Sequence, residues 1–228
     1  MTAIVTGASG NLGQAVVNKF LSAGYHVVGT MIPNDTVRID IPGKQFETAV
    51  VDLMNEDAAQ QFAELVVARH TTIDVAVLTV GGFAMGTIAN TTTAAIATQY
   101  KLNFETAYNI ARPVFMQMMK QGSGRLFLIG SRPGIDMRNS KGMVAYGMGK
   151  SLVFRLAELM NEEAKGTNVV ASVVVPSTID TPANRLSMPD ADFSKWVTPA
   201  AIADVIYFHC SHEGEIVREP VIKVYGGA

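Results

Sequence analysis

The strongest constraint on the fold is a glycine-rich turn near the start of the sequence, TGASGNLG at residues 6–13. An apolar run precedes this turn, and a segment of helical spacing at residues 11–23 follows it at once. In this context Gly7 permits the tight turn, Gly10 lets the backbone approach a pyrophosphate, and Gly13 lets helix and strand pack closely. The free N–H groups at the helix N-terminus then face the anion. The motif therefore predicts a dinucleotide-binding turn, and a plain strand-to-helix connection is the alternative.

Short apolar runs alternate with longer segments of helical spacing along the rest of the chain. Strands that are apolar throughout suit a parallel sheet buried on both faces, and right-handed crossovers then place helices on both sides. The pattern predicts an α/β fold: a single-domain, Rossmann-type, doubly wound, mostly parallel seven-stranded sheet with helices on both faces. The predicted strands are 3–6, 26–30, 46–50, 74–79, 125–129, 168–175 and 221–224, and the predicted helices are 11–23, 56–69, 92–120, 144–165 and 199–210.

Two features interrupt this regular alternation. Pro113 falls inside the long helical segment, and we expect it to kink or divide the helix there. Residues 176–197 are rich in Pro, Thr, Asp and Met, which favours a long excursion over one sheet edge that acts as a substrate lid. Because linker-like tracts, charge blocks and repeats are lacking, residues 1–228 are predicted to form one nucleotide-binding domain.

Composition excludes several classes of partner. Lys and Arg total 18 against 20 Asp and Glu, so a dominant basic surface for nucleic acid or anionic membrane is lacking. The single cysteine, Cys210, has no internal disulfide partner, which fits a reducing compartment. The pattern of a secretory signal is missing at the start, and no apolar run reaches the roughly 18 residues of a spanning helix. The sequence thus favours a cytoplasmic protein. The His and Cys spacing at residues 209–213 fits no closed zinc motif, so no metal is expected.

The end of the second predicted strand leaves the choice between NAD and NADP open. An acidic residue there holds the adenosine ribose and selects NAD in many such folds. In this chain the position falls near Met31, which is neither acidic nor basic. Asp35, Arg38 and Asp40 follow, at positions that no spacing rule relates to the ribose.

Two further segments offer contacts to the same nucleotide. Asp52 follows the third predicted strand, where it either hydrogen-bonds the adenine amino group or caps the helix before Glu56. Gly81 and Gly82 follow the fourth strand. They either let the backbone close over the ribose and nicotinamide or form an ordinary loop.

Tyr146 and Lys150 are spaced i, i+4 on a predicted helix and so share one face. A phenol with a pKa of ~10 is a poor acid at neutral pH, but a neighbouring ammonium favours phenolate and lowers that pKa. The pair suits proton delivery to an atom that receives a hydride. Ser131 is placed to hydrogen-bond the reacting oxygen, and Asn103 to hold a water that relays protons to Lys150. Such a pair also occurs on solvated helix faces, so its interpretation depends on the glycine-rich turn upstream.

Together, the glycine-rich turn, Asn103, Ser131 and the Tyr146-x-x-x-Lys150 pair resemble the short-chain dehydrogenase/reductase family over essentially the whole chain. The resemblance implies NAD(P)H as the cofactor, Tyr146 as the proton donor or acceptor, and Lys150 as the group that lowers its pKa and binds the nicotinamide ribose. Ser131 and Asn103 would complete the catalytic tetrad. The long helices at 92–120 and 144–165 resemble those that pair subunits, which implies a homodimer or homotetramer. The predicted cofactor-binding residues are Gly7, Ser9, Gly10, Asn11, Leu12, Gly13, Met31, Asp52, Leu53, Gly81, Gly82, Tyr146, Lys150, Pro176, Thr178 and Thr181.

Within that family, DTPANR at 180–185 and SMPDADFSKW at 187–196 resemble the dihydropteridine reductases. This resemblance implies hydride transfer to quinonoid dihydropterin, with Phe83 offering an aromatic face to a flat ring and Met188 as a second substrate contact. Two residues depart from that group: dihydropteridine reductases lack the serine found here as Ser131, and they have an aspartate where this chain has Met31. The alternatives are a carbonyl reductase or alcohol dehydrogenase of unassigned ketone substrate and, from another class, a non-catalytic NAD(P)-sensing regulator.

Overall fold

A seven-stranded parallel sheet forms the centre of the described structure. The computed structural model describes residues 1–37, 39, 45–138, 140–218 and 220–227. Within them the strand order is β3-β2-β1-β4-β5-β6-β7, and each neighbouring pair is parallel. The predicted doubly wound sheet is confirmed. Arg38 and Asp40 lie outside the described residues. The strands are β1 (Thr2–Thr6), β2 (His26–Met31), β3 (Phe46–Val50), β4 (Val75–Leu78), β5 (Ser123–Ile129), β6 (Asn168–Pro176) and β7 (Val221–Val224).

Helices cover both faces of this sheet. Because side chains alternate along a strand, Ile4 of β1 enters one core while Ala3 and Val5 enter the other. The core around Ile4 contains the helices at Glu56–His70, Thr106–Gln121 and Val144–Glu163, and the opposite core contains those at Asn11–Ser22 and Pro199–Phe208. In the described residues, no helix has the length and apolar character needed to cross a membrane. The helices are α1 (Asn11–Ser22), α2 (Glu56–His70), α3 (Thr93–Tyr100), α4 (Thr106–Gln121), α5 (Arg132–Ile135), α6 (Val144–Glu163), α7 (Pro182–Ser187) and α8 (Pro199–Phe208).

The long helical segment before β5 is interrupted, but not where the sequence suggested. Pro113 lies buried inside α4, which continues through it from Thr106 to Gln121, so a division at this residue is wrong. Its ring removes one backbone donor, and packing against the core holds the remaining turns in place. The regular hydrogen-bonding pattern changes at Lys101–Glu105, a π-helical turn joining α3 to α4. Such turns are frequent at functional sites, and Asn103 lies in this one.

The strand order reverses between β1 and β4, which creates a crevice at their carboxyl ends. The two strand ends are joined by side-chain hydrogen bonds. The Thr79 N–H donates to Thr6 Oγ1 at 3.0 Å, and Thr79 Oγ1 donates to the Thr6 carbonyl at 2.6 Å. The glycine-rich turn after β1 and the Gly81–Gly82 segment after β4 therefore flank one crevice.

The excursion after β6 closes on itself at its base. The Asp180 N–H donates to the Val197 carbonyl at 2.8 Å, and the Val197 N–H donates to the Thr178 carbonyl at 3.0 Å. Arg185 forms a two-pronged ion pair with Asp180, at 2.6 and 2.8 Å, and its guanidinium lies 4.8 Å from the Phe193 ring centroid. These contacts give the excursion, which includes α7, an internal framework of its own.

Candidate active site

In the turn between β1 and α1, glycine residues leave the backbone accessible to a phosphate group. Gly7 has a φ of +61°, in the left-handed region that favours glycine. A Cβ on Gly13 would lie 2.1 Å from the Gly7 carbonyl oxygen, so α1 approaches the turn this closely only with glycine at that position. No side chain in the described structure caps α1 at Gly10, which leaves its first N–H groups available to an anion. The turn therefore fits the pyrophosphate of a dinucleotide.

An acidic side chain reaches this turn from the segment after β2. Asp35 follows Met31, the last residue of β2, by four positions. Ser9 Oγ donates to its carboxylate at 2.5 Å, and the Val37 N–H donates to its other oxygen at 2.9 Å. The bond from Ser9 lowers the pKa of Asp35 below its usual value, so the carboxylate is ionised at neutral pH. Sequence reasoning named Asp35 but not this contact, because the spacing of an irregular segment does not reveal where it folds back.

Asp52 and Leu53 lie between β3 and α2 without capping that helix. The cap is Asn55, whose side chain accepts the Ala58 N–H, so the helix-cap alternative for Asp52 is wrong. Asp52 accepts the Met54 N–H at 2.9 Å in a local turn. Asn109 of α4 donates to the Leu53 carbonyl at 2.9 Å and fixes this segment at the sheet edge.

Gly81 and Gly82 pack closely against the π-helical turn at Lys101–Glu105. A Cβ on Gly81 would lie 2.9 Å from Asn103 Oδ1 and 3.0 Å from Lys150 Nζ. The Gly82 N–H donates to Asn103 Oδ1 at 3.1 Å, and Asn103 Nδ2 donates to the Gly82 carbonyl at 2.9 Å. Asn103 thus fastens the loop after β4 to the helix. A water relay from Asn103 to Lys150 stays a prediction.

Lys150 lies at the bottom of the same crevice. Its side chain is buried, and Nζ donates to the Ile129 carbonyl at the end of β5 at 2.7 Å. Burial disfavours the ammonium and lowers the pKa of Lys150 to about 8. The lysine therefore still carries its charge at neutral pH and loses it in mildly alkaline solution.

Tyr146 lies one helical turn before Lys150, beside Ser131. Burial raises the pKa of the Tyr146 phenol, and the nearby Ser131 hydroxyl offsets part of that rise. The predicted lowering of this pKa by the Lys150 ammonium stays a prediction, because in this structure Nζ donates to the Ile129 carbonyl. The Ser131 hydroxyl is buried and makes no hydrogen bond of regular geometry with the described residues. The two hydroxyls thus present a protonated phenol and an available hydroxyl side by side.

We expect cofactor affinity to follow the charge of Lys150. Since the pKa of Lys150 is about 8, the ammonium is present below that pH and lost above it. Affinity for NADH should therefore be constant near neutrality and decline as the pH rises through about 8. In the Lys150→Met variant, binding should be weaker by about tenfold, the worth of one charge-assisted contact, and should show no such step. Fluorescence titration across this pH range measures both, and a step of equal size in the variant would contradict the assignment.

The remaining predicted residues lie in the loop after β4, at the end of β6 and in the segment that follows β6. The rings of Phe83 and Tyr146 meet edge to face with centroids 5.0 Å apart, and Phe83 stays 57% exposed. Pro176 ends β6, and Thr178 begins the excursion. Thr181 caps α7 by accepting the Asn184 N–H at 3.2 Å, so its hydroxyl is engaged within the excursion. Met188 follows α7 and is 40% exposed.

His209 and Cys210 face backbone carbonyls rather than each other, and His212 pairs with Glu215 at 3.0 Å. His209 Nδ1 lies 2.8 Å from the Val205 carbonyl, and Cys210 Sγ donates to the Ile206 carbonyl at 3.5 Å. Over the parts of the chain that the structure describes, His, Cys, Asp and Glu form no group of three or more that could hold a metal ion.

Comparison with known proteins agrees with this geometry. The family model of the short chain dehydrogenases matches residues 1–192. The chain belongs to this family. An acetoacetyl-CoA reductase of an Acinetobacter species is 25% identical over 99% of this chain and 96% of its own. A dihydropteridine reductase of Dictyostelium discoideum is 24% identical over 90% of this chain and 85% of its own.

Solved structures share this fold. The ligand-free structure of aldohexose dehydrogenase from Thermoplasma acidophilum has a TM-score of 0.84, with 21% identity over 99% of this chain and 92% of its own. A likeness at that identity shows the fold alone. From the family match and the named relatives, this short-chain dehydrogenase is an NAD(P)-dependent oxidoreductase, as the sequence predicted. The named relatives act on different substrates, so family membership leaves the substrate open.

Proposed function

We propose that this enzyme is an NAD(P)H-dependent reductase of quinonoid dihydropterin or a related flat, electron-poor acceptor. The observation that carries this proposal is the aromatic corner formed by Phe83 and Tyr146. The exposed ring of Phe83 can stack on a flat acceptor, and the Tyr146 ring, with its centroid 5.0 Å away, would then offer its phenol to that acceptor. A dihydropteridine reductase among the relatives supports the same substrate class.

Each residue of the crevice has a different role in the proposed reduction. Bound NAD(P)H supplies the hydride when present. Tyr146, kept protonated by burial, donates the proton to the reduced acceptor, and proton transfer by a positioned side chain accelerates a reaction by about 10²–10⁴-fold. Lys150 places a positive charge beside the Gly81 backbone, where the nicotinamide ribose would lie. Asn103 holds that backbone in place.

The buried Ser131 hydroxyl favours a second candidate, a carbonyl reductase acting on a ketone. A carbonyl oxygen that gains negative charge during reduction is stabilised by more than one donor. Ser131 and Tyr146 would supply two, and Ser131 is available because its hydroxyl lacks a regular hydrogen bond among the described residues. The acetoacetyl-CoA reductase among the relatives acts on such a carbonyl group, as its name states.

One assay separates the two candidates. NADH oxidation by the purified enzyme is followed with quinonoid dihydropterin and, separately, with a panel of ketones that includes a 3-oxoacyl thioester. We expect the pterin to give the higher kcat/KM. Fast reduction of a ketone together with no turnover of the pterin would refute the pterin proposal and support the carbonyl reductase.

For the cofactor we propose a preference for NADH, which rests on Asp35. An ionised carboxylate at the glycine-rich turn can accept a hydrogen bond from a ribose hydroxyl and repels a 2′-phosphate. In the Asp35→Asn variant the ratio of kcat/KM for NADH over NADPH should fall by about tenfold, because one repulsive charge is removed. Steady-state assays with both cofactors measure this ratio. Asp52→Asn is the matched control, since a contact to the adenine is common to both cofactors and should leave the ratio unchanged. An unchanged ratio in Asp35→Asn would refute the proposal.

For the assembly we propose a homodimer or homotetramer that buries one face of α4 and α6. Large apolar side chains are exposed there: Tyr108 and Met116 on α4, and Leu152 and Leu159 on α6. Large apolar side chains exposed on a surface are typical of association surfaces, and symmetric pairing of one surface with itself is the commonest way to bury them. Light scattering should therefore give twice or four times the 24.4 kDa mass of the chain, and a monomer at all concentrations would refute the proposal.

A further inference from the structure

Gln99 in the last turn of α3 is a buried polar residue to which sequence and family membership give no role. Its side chain is 5% exposed, and it lies one helical turn before Asn103, which is 1% exposed. Asn103 Nδ2 donates to Gln99 Oε1 at 3.0 Å and approaches the Gln99 carbonyl at 3.2 Å. Most buried side-chain amides are hydrogen-bonded, and these two bond each other through Asn103 Nδ2 and Gln99 Oε1.

The orientation of both amides follows from the backbone around them. The Gly82 N–H must donate, so it fixes the acceptor Oδ1 of Asn103, and the Gly82 carbonyl must accept, so it fixes Nδ2. Since Nδ2 faces Gln99, Gln99 must present its oxygen to Asn103. The chain of hydrogen bonds therefore runs from Gln99 through Asn103 to the backbone N–H and the backbone carbonyl of Gly82.

Gln99 also lines a cavity of about 170 Å³, together with Ala95, Thr98 and Ala145. Side chains of similar length can therefore replace Gln99 without overpacking. Gly149 of α6 borders the same region, because a Cβ there would lie 3.0 Å from the Gln99 carbonyl. The last turn of α3 is thus held closely against the helix that carries Tyr146 and Lys150.

We propose that Gln99 is a positioning residue that orients the Asn103 amide and, through it, the Gly81–Gly82 backbone that receives the nicotinamide ribose. Without the Oε1 acceptor of Gln99, the Asn103 amide keeps only backbone partners and is held less firmly, which weakens the two bonds that anchor the loop after β4. The effect on cofactor binding rests on the proposed function, whereas the effect on the Asn103 amide does not.

Two variants separate the acceptor from the bulk of the side chain. Gln99→Met keeps the length and removes the acceptor, and Gln99→Glu keeps an oxygen facing Asn103. We expect the Kd for NADH to rise by about fivefold in Gln99→Met, the usual worth of one buried hydrogen bond, and to stay within about twofold in Gln99→Glu. Thr98→Ala, on the same turn and cavity, is the control and should bind NADH as the wild type does.

Hydrogen exchange of the Asn103 side-chain amide, followed by NMR, supplies a readout that needs no cofactor. Its protons should exchange at least about tenfold faster in Gln99→Met than in Gln99→Glu or the wild type. Equal exchange in both variants, or equal Kd values, would overturn the proposal. If Gln99→Met does not fold, Gln99→Glu decides alone, since a fast-exchanging Asn103 amide in that variant would refute the acceptor role. Failure of the wild type to bind NADH would count against the proposed function and leave the exchange comparison valid.

Discussion

Replacing Tyr146 by Phe should abolish reduction while leaving the fold and cofactor binding intact. The change removes only the phenol oxygen, and the edge-to-face contact with Phe83 persists because the ring remains. Loss of a positioned proton donor lowers kcat by about 10²–10⁴-fold. Steady-state assays measure the rate. Fluorescence titration with NADH should give a Kd within about threefold of the wild type, a difference in binding free energy of less than about 1 kcal/mol.

Tyr207→Phe is the matched control for this change. Tyr207 lies in α8 on the opposite face of the sheet, where its ring packs edge to face against Phe20 with centroids 5.8 Å apart. It should retain the wild-type kcat. A Tyr146→Phe enzyme that keeps more than about a tenth of the wild-type kcat would show that another group donates the proton, because such a loss is below the range for a general acid.

Replacing Gly13 by Ala should have the largest effect on the fold itself. The new Cβ would lie 2.1 Å from the Gly7 carbonyl oxygen and 2.8 Å from the Gly7 carbonyl carbon. Both atoms are backbone, so α1 must move away from the turn to relieve the clash. We expect the free energy of unfolding to fall by about 3 kcal/mol, at the upper end of overpacking effects, and NADH binding to be lost. Chemical denaturation and fluorescence titration measure the two quantities.

Gly10→Ala provides the contrast. A Cβ at that position would lie 3.3 Å from the Gly7 carbonyl oxygen, so a small shift accommodates it. The variant should unfold within about 1 kcal/mol of the wild type but bind NADH at least about tenfold more weakly, because the backbone no longer approaches the pyrophosphate. Equal stability of the Gly13 and Gly10 variants would contradict the packing role given to Gly13.

The sequence predicts the fold, the glycine-rich turn and the Tyr146–Lys150 pair well, because these depend on short-range patterns. Apolar runs and helical spacing place the strands and long helices to within a few residues. The glycines of the first turn are read from a local motif, since their roles depend on backbone geometry within eight consecutive residues. Lys150 and Tyr146 share a helix face by spacing alone.

What the sequence misses depends on contacts between distant segments. The segment after β2 folds back so that Asp35 accepts a hydrogen bond from Ser9. No periodic pattern in the sequence predicts this contact. The irregularity in the long helical segment is the π-helical turn that contains Asn103, and α4 continues through Pro113. Asn103 bonds Gly82 from this turn, a contact between distant segments that helix propensity does not predict. The raised pKa of Tyr146 and the lowered pKa of Lys150 both come from burial, which spacing does not measure.

A single-turnover experiment tests the central claim most directly, that this crevice transfers a hydride from NAD(P)H and a proton from Tyr146. The enzyme is mixed with one equivalent of NADH and an excess of quinonoid dihydropterin or a ketone, and oxidation of the bound nicotinamide is followed. We predict that one equivalent of cofactor is oxidised for each equivalent of acceptor reduced, and that the Tyr146→Phe enzyme binds NADH but leaves it reduced. NADH that binds the wild-type enzyme and stays reduced with every pterin and ketone offered would contradict the account.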